Sequence, residues 1–376
     1  MDDDVAARLR EAIAGCPDVV FWRPAGSPAA ALAALADAAR EVGAEWDTYG
    51  DGGIVEVLEA EVAGLLGHEA AVLFPTGVMA QQAALRSWCD RAGCHRVAVP
   101  DLAHPLHHEE DGPRVLHGFE FPALTRGPQA PTAAHLDAVP GRLGAVMVEL
   151  PLRDAGCVLP TWDELAQLSE RCRARPAAFH ADGARIWECQ PHFARDAAAI
   201  GALFDSVYVS FYKGLGQMHG AAVAGPGDLA AELRLWRRRM GGAMYRMAPL
   251  AVGALHGLRT HVPRMGDYVA WAREFAAALA GHGARIDPPA TQTFVAHVDG
   301  DADAINARVL DHIAREALVP CGVWTPGAVP GTARTEFIAY ADALRHDPRR
   351  AADRVAGLAG PGTPPPDARG RAGSAP

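Results

Sequence analysis

The sequence predicts an α/β protein in which a mainly parallel sheet is followed by a smaller α+β domain. From about residue 68, short apolar runs alternate with helical patterns, and after Ala224 longer helices and two late strands follow. Apolar runs of this length are too short for helices and are typical of strands buried on both faces. The runs predicted as strands of the sheet are Ala70 to Phe74, Val97 to Val99, Val115 to Leu116, Ala145 to Val148, Ala177 to Phe179, Val207 to Val209 and Ala221 to Ala224.

Helical patterns and composition divide the chain further. Residues 1–45 are expected to form an N-terminal helical segment, residues 46–259 the large domain and residues 260–358 the small α+β domain. Residues 359–376 are rich in Pro, Gly and Ala, a composition that predicts disorder. The helices predicted after residue 45 include Ile54 to Leu66, Val78 to Trp88, Trp162 to Arg173, Leu229 to Arg239, Pro249 to Arg259, Tyr268 to Leu279 and Ala304 to Glu316, and the late strands are Phe294 to Val298 and Glu336 to Tyr340.

Composition excludes several classes of protein. The formal net charge of −10 argues against nucleic-acid binding, because the basic residues cluster only briefly, at Arg234 to Arg239. The cysteines are odd in number and lack a C-x-x-C pair, which favours a reducing cytoplasm over a disulfide framework or a zinc site. The N-terminus is acidic and no apolar run approaches the ~20 residues of a membrane span. We therefore expect a cytoplasmic protein that acts on a small molecule.

Lys213 is the first candidate for chemistry. Lysine is rare in this chain, and Lys213 follows a strand run in the glycine-rich stretch Ser210 to Gly216. Desolvation of a lysine makes its amine nucleophilic and able to form a Schiff base with a carbonyl group. A surface lysine at a strand end is the alternative on this stretch alone.

Two other strand runs also end in chemically suggestive residues. Gly77 stands in the turn into a predicted helix, where free N–H groups and the helix dipole can hold a phosphate, although ordinary helix-start chemistry explains it equally well. Asp182 can hold a heteroaromatic nitrogen protonated, and Arg185 offers a fork for an oxyanion. Because parallel strands end at one edge, Asp182 and Lys213 can reach one pocket. A carboxylate, a Schiff-base lysine and a phosphate-binding helix start describe a pyridoxal phosphate site.

The strand run Val97 to Val99 is followed by His104 and by a cluster of histidines and acids at His107 to Asp111. His104 lies nearest the strand end and could stack its imidazole on a flat ligand. Imidazole and carboxylate also suit zinc or manganese, but the cluster lacks an H-E-x-x-H spacing. We interpret His107 to Asp111 as solvated loop residues and predict no metal site.

A set of short motifs follows in order over about residues 46–258, namely Tyr49-Gly50-Asp51, Pro75-Thr76-Gly77, Ala103-His104, His180 to Arg185, Lys213 to Gly216, and Trp236 to Arg238 with Gly241-Gly242. Together these motifs resemble the low-specificity threonine aldolase and β-eliminating lyase family. The resemblance implies the aspartate-aminotransferase-like fold, or fold type I, with pyridoxal 5′-phosphate as cofactor.

The resemblance also assigns roles. It implies Lys213 as the lysine that carries the cofactor, Asp182 on the pyridine nitrogen and His104 stacked on the ring. The N–H groups of Gly77 and Val78 would hold the phosphate, and Arg185 would lie near the ring hydroxyl or the substrate carboxylate. It further implies a homodimer or homotetramer with shared active sites, in which Tyr49 and the region of Arg237 and Arg238 lie near a subunit interface.

This chain departs from the family pattern at three places. Family aldolases show Glu-Asn-Thr-His after the fourth strand, whereas this chain has Glu149-Leu150-Pro151-Leu152, and Leu152 cannot accept a proton. Phe21-Trp22-Arg23-Pro24 stands near the position of the family's Arg-Ser-Asp-Thr segment. At the family's carboxylate-binding arginine stands Glu336, with Arg334 two residues earlier and so on the same strand face.

The leading hypothesis is a lyase that cleaves the Cα–Cβ bond of a β-hydroxy-α-amino acid to an aldehyde and glycine. Since Leu152 cannot act as a base, His104 or a residue of His107 to Glu109 would take the β-hydroxyl proton. The alternative reaction is β- or γ-elimination, or another carbon-bond reaction on a different amino acid, and Glu336 suggests a cationic side chain. A cofactor-binding or scaffold protein without turnover and a metal-dependent hydrolase are the rival classes.

Overall fold

The computed structural model describes residues 3–21 and 27–360, and its contacts separate two compact units. The larger unit contains residues 27–266, and the smaller unit joins residues 3–21 to residues 267–360. The expected N-terminal segment is therefore divided, with its first helix in the smaller unit and the rest in the larger. The expected disordered tail lies, from residue 361 onward, outside the described residues, as do Trp22, Arg23 and Pro24.

The described residues form helices and strands in the following order. The first half contains α1 (Asp3–Gly15), β1 (Asp18–Val19), α2 (Pro28–Glu41), α3 (Gly53–Leu66), β2 (Ala70–Phe74), α4 (Gly77–Ala92), β3 (Val97–Ala98), α5 (His104–His107), α6 (Gly112–His117), α7 (Ala133–Ala138), β4 (Ala145–Glu149), α8 (Trp162–Ala174) and β5 (Ala178–Asp182). The second half contains α9 (Ile186–Phe193), α10 (Ala197–Gly201), β6 (Ser206–Ser210), β7 (Ala221–Gly225), α11 (Gly227–Arg239), α12 (Ala248–His261), α13 (Met265–Gly281), β8 (Thr293–Asp299), α14 (Ala302–Glu316), β9 (Leu318–Val319), β10 (Thr325–Pro326), β11 (Thr332–Ile338) and α15 (Pro348–Ala359).

The larger unit is built on a six-stranded sheet with the order β2-β7-β6-β5-β4-β3. Strands β3 to β6 are parallel, and β7 runs antiparallel to both of its neighbours, β2 and β6. The predicted mainly parallel sheet is thus confirmed. Because β2 runs in the same direction as β3 to β6, these strands end at one edge, at Phe74, Ala98, Glu149, Asp182 and Ser210.

Burial explains why the strands read as continuous apolar runs. Every residue of β4, β6 and β7 is buried, as is usual for strands covered on both faces. Helices α4 and α11 pack on one face of the sheet, where Ala80 and Leu229 meet Val72, Tyr208 and Val223. Helix α4 thereby fixes its first turn at the edge where the parallel strands end.

One predicted strand is wrong. Val115 and Leu116 lie in the middle of helix α6, which begins beside Pro113 and ends at Gly118 in the left-handed region. Their exposed fractions are 76% and 68%, so they contribute no buried strand. Two adjacent apolar residues carry no periodicity, and the proline and glycine that bracket them were the stronger signal.

The smaller unit has its own sheet and core. Strand β11 pairs with β10 and β8 in an antiparallel sheet, and β1 pairs with β9. Phe21 packs against Trp271, Phe275 and Phe337 in this core, at ring-centroid distances of 4.6 to 5.4 Å. The family segment expected near Phe21 is therefore replaced here by a residue that serves packing.

Strand β11 starts and ends earlier than the predicted strand Glu336 to Tyr340. Its buried residues alternate with more exposed ones, so Arg334 and Glu336 share the face that points away from the core. On that face Arg334 stands opposite His297 of β8. Burial and the nearby guanidinium of Arg334 lower the pKa of His297.

Among residues 3–21 and 27–360, no helix combines the length and apolar character needed to span a bilayer.

Candidate active site at the carboxyl edge of the sheet

Asp182 is the last residue of β5 and lies at the centre of the edge. It stands in register between Glu149 of β4 and Tyr208 of β6, so the three side chains share one face. Asp182 is buried, and its carboxylate accepts from the N–H of Ala184 at 3.0 Å. Burial raises the pKa of Asp182, whereas His104, Ala184 and the amide of Gln81 favour its ionised form.

Hydrogen bonds link Trp88 to Gln81 through the core. Trp88 Nε1 donates to Ser206 Oγ at 2.8 Å, and Ser206 Oγ lies 2.7 Å from His180 Nδ1. His180 Nε2 lies 2.7 Å from the carbonyl oxygen of Gln81, whose amide nitrogen lies 3.8 Å from Met147 Sδ. Since burial lowers the pKa of His180 to about 3, its ring is neutral. One direction of donation satisfies the chain, because Ser206 and His180 each accept from the group before them and donate to the next.

The first turn of α4 approaches the same face of the sheet. Thr76 caps the helix by accepting from the N–H of Met79 at 3.3 Å. The N–H groups of Gly77 and Val78 precede the first intrahelical hydrogen bonds and are the donors of this turn. A Cβ at Gly77 would overlap the hydroxyl of Tyr208 and lie 2.9 Å from that of Tyr212. The glycine therefore allows two tyrosine hydroxyl groups to approach the backbone at the helix start.

Lys213 follows β6 by three residues. Its Nζ lies 5.2 Å from the ring centroid of Tyr212. The positive charge of Lys213 lowers the pKa of His104, whereas the negative charge of Asp182 raises it. The convergence of Lys213 and Asp182 in one pocket stays a prediction.

Arg185 lies in the turn between β5 and α9 and is buried. Its Nε has no hydrogen-bond partner among the described residues, and Glu188 Oε1 stands 3.7 Å away. Glu188 also packs against Gly214, because a Cβ at that glycine would lie 2.5 Å from Glu188 Oε1. A buried guanidinium with an unused donor is equipped to bind an anionic group.

His104 begins helix α5 after β3 and is held by two carboxylates. Its backbone N–H donates to Glu149, and its Nδ1 lies 3.1 Å from Glu109 Oε1. The hydrogen bond that His104 donates to Glu109 raises the pKa of His104 above its ordinary value, against the opposing effect of burial. Glu109 Oε2 in turn accepts from Gln82 at 2.9 Å.

Glu149 was not among the predicted site residues, and Glu109 was predicted only as one possible base within His107 to Glu109. Glu109 has only 1% of its side chain exposed, so the interpretation of His107 to Asp111 as solvated loop residues is wrong at this position. Burial, reinforced by the charge of Asp182, raises the pKa of Glu149 well above its ordinary value. Glu149 ends a strand and could have been found by the rule that found Asp182. Glu109 gave no signal beyond its place in the acidic cluster.

The remaining histidines of the cluster face different partners. His107 Nε2 bonds the carbonyl oxygen of Asp101 at 2.7 Å, and His108 Nε2 lies 2.6 Å from Asp154 Oδ2. Within the described residues, no group of three or more His, Cys, Asp and Glu side chains is arranged to hold a metal ion. Hydrogen bonds therefore account for these side chains.

Leu152 is 1% exposed and packs inside the protein. Its N–H and carbonyl groups pair with those of Val158, which closes the loop after β4. The residue at the position of the family histidine thus serves packing.

Tyr49 stands on a separate loop with φ 56°, in the left-handed region, and is 48% exposed. Buried Asp47 fixes this loop by accepting from the N–H groups of Gly50, Met247 and Ala248, each at 2.8 Å. The ring of Tyr49 contacts that of Tyr245 at 5.4 Å between centroids. Arg334 and Glu336, the other predicted substrate-binding residues, belong to the smaller unit.

The residues at the edge fit pyridoxal 5′-phosphate. A phosphate needs N–H donors and a close approach to the backbone, which the turn at Gly77 offers. The ring nitrogen needs a fixed carboxylate, which Asp182 offers, and an anionic oxygen needs a donor such as Arg185 Nε. Lys213 supplies the amine. The fold and this site define a pyridoxal-phosphate-dependent enzyme of fold type I.

Comparisons with known proteins agree. A family model described as beta-eliminating lyase matches residues 26–301. The low specificity L-threonine aldolase of Escherichia coli (strain K12) is 31% identical over 239 residues, which cover 61% of this chain and 70% of that protein. The chain belongs to the beta-eliminating lyase family and is a pyridoxal-phosphate-dependent lyase.

Solved structures give the same result at the level of the fold. A Listeria monocytogenes EGD-E protein, provisionally named an L-allo-threonine aldolase, superposes with a TM-score of 0.86 at 30% identity, covering 94% of this chain and 98% of that one. The aspartate aminotransferase of Thermotoga maritima superposes with a TM-score of 0.61 at 12% identity, covering 94% and 96% of the two chains. This second likeness concerns the fold alone and confirms the predicted aspartate-aminotransferase-like architecture.

Proposed function

We propose that this enzyme cleaves the Cα–Cβ bond of a β-hydroxy-α-amino acid to an aldehyde and glycine. The observation that carries the proposal is that His104, Asp182 and Lys213 stand at or after the ends of β3, β5 and β6, on the edge of the sheet that the helix start at Gly77 also approaches. The name of the Escherichia coli relative supports the same reaction. β- or γ-elimination is the less favoured alternative.

Each residue at the edge has a proposed task toward the cofactor. When bound, pyridoxal 5′-phosphate supplies an electron sink for the bonding electrons released at Cα. Lys213 attaches the cofactor, and the N–H groups of Gly77 and Val78 bind its phosphate. Asp182 keeps a proton on the ring nitrogen, and that positive charge in turn favours the ionised carboxylate. His104 covers the ring.

The substrate requires further groups, which we assign by their chemistry. Arg185 is a buried donor suited to the ring hydroxyl or to the substrate carboxylate. Tyr49, Arg334 and Glu336 remain candidate substrate-binding residues, which offer a phenol, a guanidinium and a carboxylate. A cationic substrate side chain would be the natural partner of Glu336.

We further propose a homo-oligomer with shared active sites and a cytoplasmic location. Exposed aromatic rings support the first point, because Trp46, Tyr49 and Tyr245 are 67%, 48% and 58% exposed. The guanidinium of Arg246 lies over the rings of Trp46 and Tyr245, and Tyr49 contacts the ring of Tyr245. Such grouped aromatic surface is typical of interfaces. The second point is supported by the seven cysteines, which are all free thiols.

Turnover assays test the reaction. The purified enzyme is expected to release an aldehyde and glycine from threonine or phenylserine. Lys213→Ala is expected to lose this turnover together with the visible absorbance of the bound cofactor, because the amine that attaches the cofactor is missing. His219→Ala, an exposed change on the same loop, is the matched control and should keep both. Release of a keto acid and ammonia in place of glycine would establish elimination instead.

A further inference from the structure

The loops after β3 and β4 bring two residues together that the roles above leave unused. His108 Nε2 and Asp154 Oδ2 are 2.6 Å apart, although they are 46 residues apart in the chain. Arg153 Nη1 holds the other oxygen of Asp154 at 3.3 Å. The side chain of His108 is 43% exposed and that of Asp154 is 27% exposed, so the pair lies at the surface of the site rather than in the core.

His108 also lies beside the residue proposed to cover the cofactor. The ring centroids of His104 and His108 are 5.1 Å apart, with an angle of 43° between the ring planes. Because the carboxylate of Asp154 accepts a hydrogen bond from Nε2–H, the lone pair of His108 is on Nδ1. A carboxylate that fixes the tautomer and direction of an imidazole is the arrangement found in acid–histidine pairs of hydrolases.

Other groups near His104 are engaged. Glu109 uses both carboxylate oxygens, on His104 and on Gln82. His107 is bonded to the carbonyl oxygen of Asp101, and Glu149 accepts from the N–H of His104. Leu152 is apolar and buried. His108 is therefore the member of this cluster that combines exposure, a fixed tautomer and a position next to His104.

We propose that His108, oriented by Asp154, is the base that takes the β-hydroxyl proton of the substrate, a role that rests on the proposed aldol cleavage. The O–H proton moves to His108 Nδ1, and the O–H bonding electrons become the second bond of the aldehyde carbonyl. The Cα–Cβ bond breaks, and its electron pair stays at Cα until a proton arrives there to give glycine. The loop that carries Leu152 thus contributes to catalysis through Asp154, two residues later.

Two reactions of one enzyme separate this role from a structural one. Cleavage of phenylserine needs a base for the hydroxyl proton. Exchange of the glycine α-proton with deuterated water breaks no carbon–carbon bond and needs a base only at Cα. His108→Asn is expected to lower kcat for cleavage about 10²-fold and to leave glycine exchange unchanged. His107→Asn is the matched comparison and should keep both reactions.

Asp154 acts through His108, so its variants need a graded readout. Asp154→Asn is expected to lower kcat for cleavage with little change in KM, and Asp154→Glu to recover part of the loss. Ring ¹⁵N spectra of histidine-labelled full-length protein report the tautomer without any turnover. The His108 signals, identified by their absence in His108→Asn, should show an unprotonated Nδ1 in the wild type and a mixed tautomer in Asp154→Asn.

Distinct outcomes would overturn each part. If His108→Asn lowers cleavage and glycine exchange equally, or changes neither, His108 is not the base. A loss of cleavage in His107→Asn alone would move the role to His107. If the wild type exchanges glycine but cleaves no β-hydroxy amino acid, the proposed function itself fails, while a protonated Nδ1 would reject the His108–Asp154 geometry separately.

Discussion

The two sides of the candidate site are held in different ways. On the cofactor side, Asp182 accepts from the N–H of Ala184, and a buried chain of hydrogen bonds runs nearby from Trp88 to Gln81. On the loop side, the side chains of His104 and His108 are 40% and 43% exposed, and their ring nitrogens bond the carboxylates of Glu109 and Asp154. A buried polar network tolerates few changes because each member left unpaired costs free energy, whereas exposed pairs can be exchanged at little cost.

The causes of the pKa shifts also differ between the two sides of the site. On the cofactor side burial dominates, raising the pKa of Asp182 and lowering that of His180 to about 3. On the loop side the largest cause of the pKa shift is a hydrogen-bond partner, since the hydrogen bond that His104 donates to Glu109 raises the pKa of His104. The loop side also contains Leu152, at the position where the resemblance implies a histidine.

The largest effect is expected at the cofactor side. Asp182→Asn keeps the size of the side chain but removes its charge, so kcat should fall about 10²- to 10³-fold, as for other lost electrostatic contacts in active sites. Steady-state cleavage of phenylserine measures the change. Asp205→Asn is the control, because Asp205 also accepts a backbone hydrogen bond beside β5 but near its amino end. Undiminished kcat in Asp182→Asn would remove the distinction between the two sides.

A smaller effect is expected when histidine is restored on the loop side. Leu152→His places an imidazole in a buried apolar position, which should cost about 1–3 kcal/mol of unfolding free energy. Denaturant titration measures this loss, and Leu152→Met, a volume-conserving change, should cost less. In the background of His108→Asn the new histidine should fail to restore cleavage. Restored cleavage at full stability would mean that residue 152 reaches the substrate.

The smallest effect concerns pH. The pKa of His104 is raised in the folded state, so protonated His104 contributes to the free energy of unfolding. This contribution is fully present below the ordinary imidazole pKa of about 6.5 and is lost as pH rises through the raised pKa. The wild type should therefore exceed Glu109→Gln in unfolding free energy by more at about pH 6 than at about pH 9.

His104→Asn provides the control, since Glu109→Gln in that background should show little of this pH dependence. A difference that stays constant across the range would mean that Glu109 stabilises His104 without regard to its charge.

The sequence was most informative where one strand or helix suffices for the argument. The runs at β2, β4, β6 and β7 predicted strands because burial on both faces demands continuous apolar residues. Asp182 and Lys213 were found by their place after such runs. Val115 and Leu116 were misread because two apolar residues have no period, and the burial of Glu109 was missed because it depends on Gln82 in α4.

The sequence by itself determined the fold class and the family and indicated the candidate cofactor-binding residues, because strand periodicity and strand-end motifs are local properties of the chain. Only the tertiary structure decided which acids support them. Glu149 beside Asp182, Glu109 on His104 and Asp154 on His108 are pairs formed by strand register and by loops that meet across the edge. Such pairs join residues whose separation along the chain obeys no period, so they emerge only when the sheet aligns its strands.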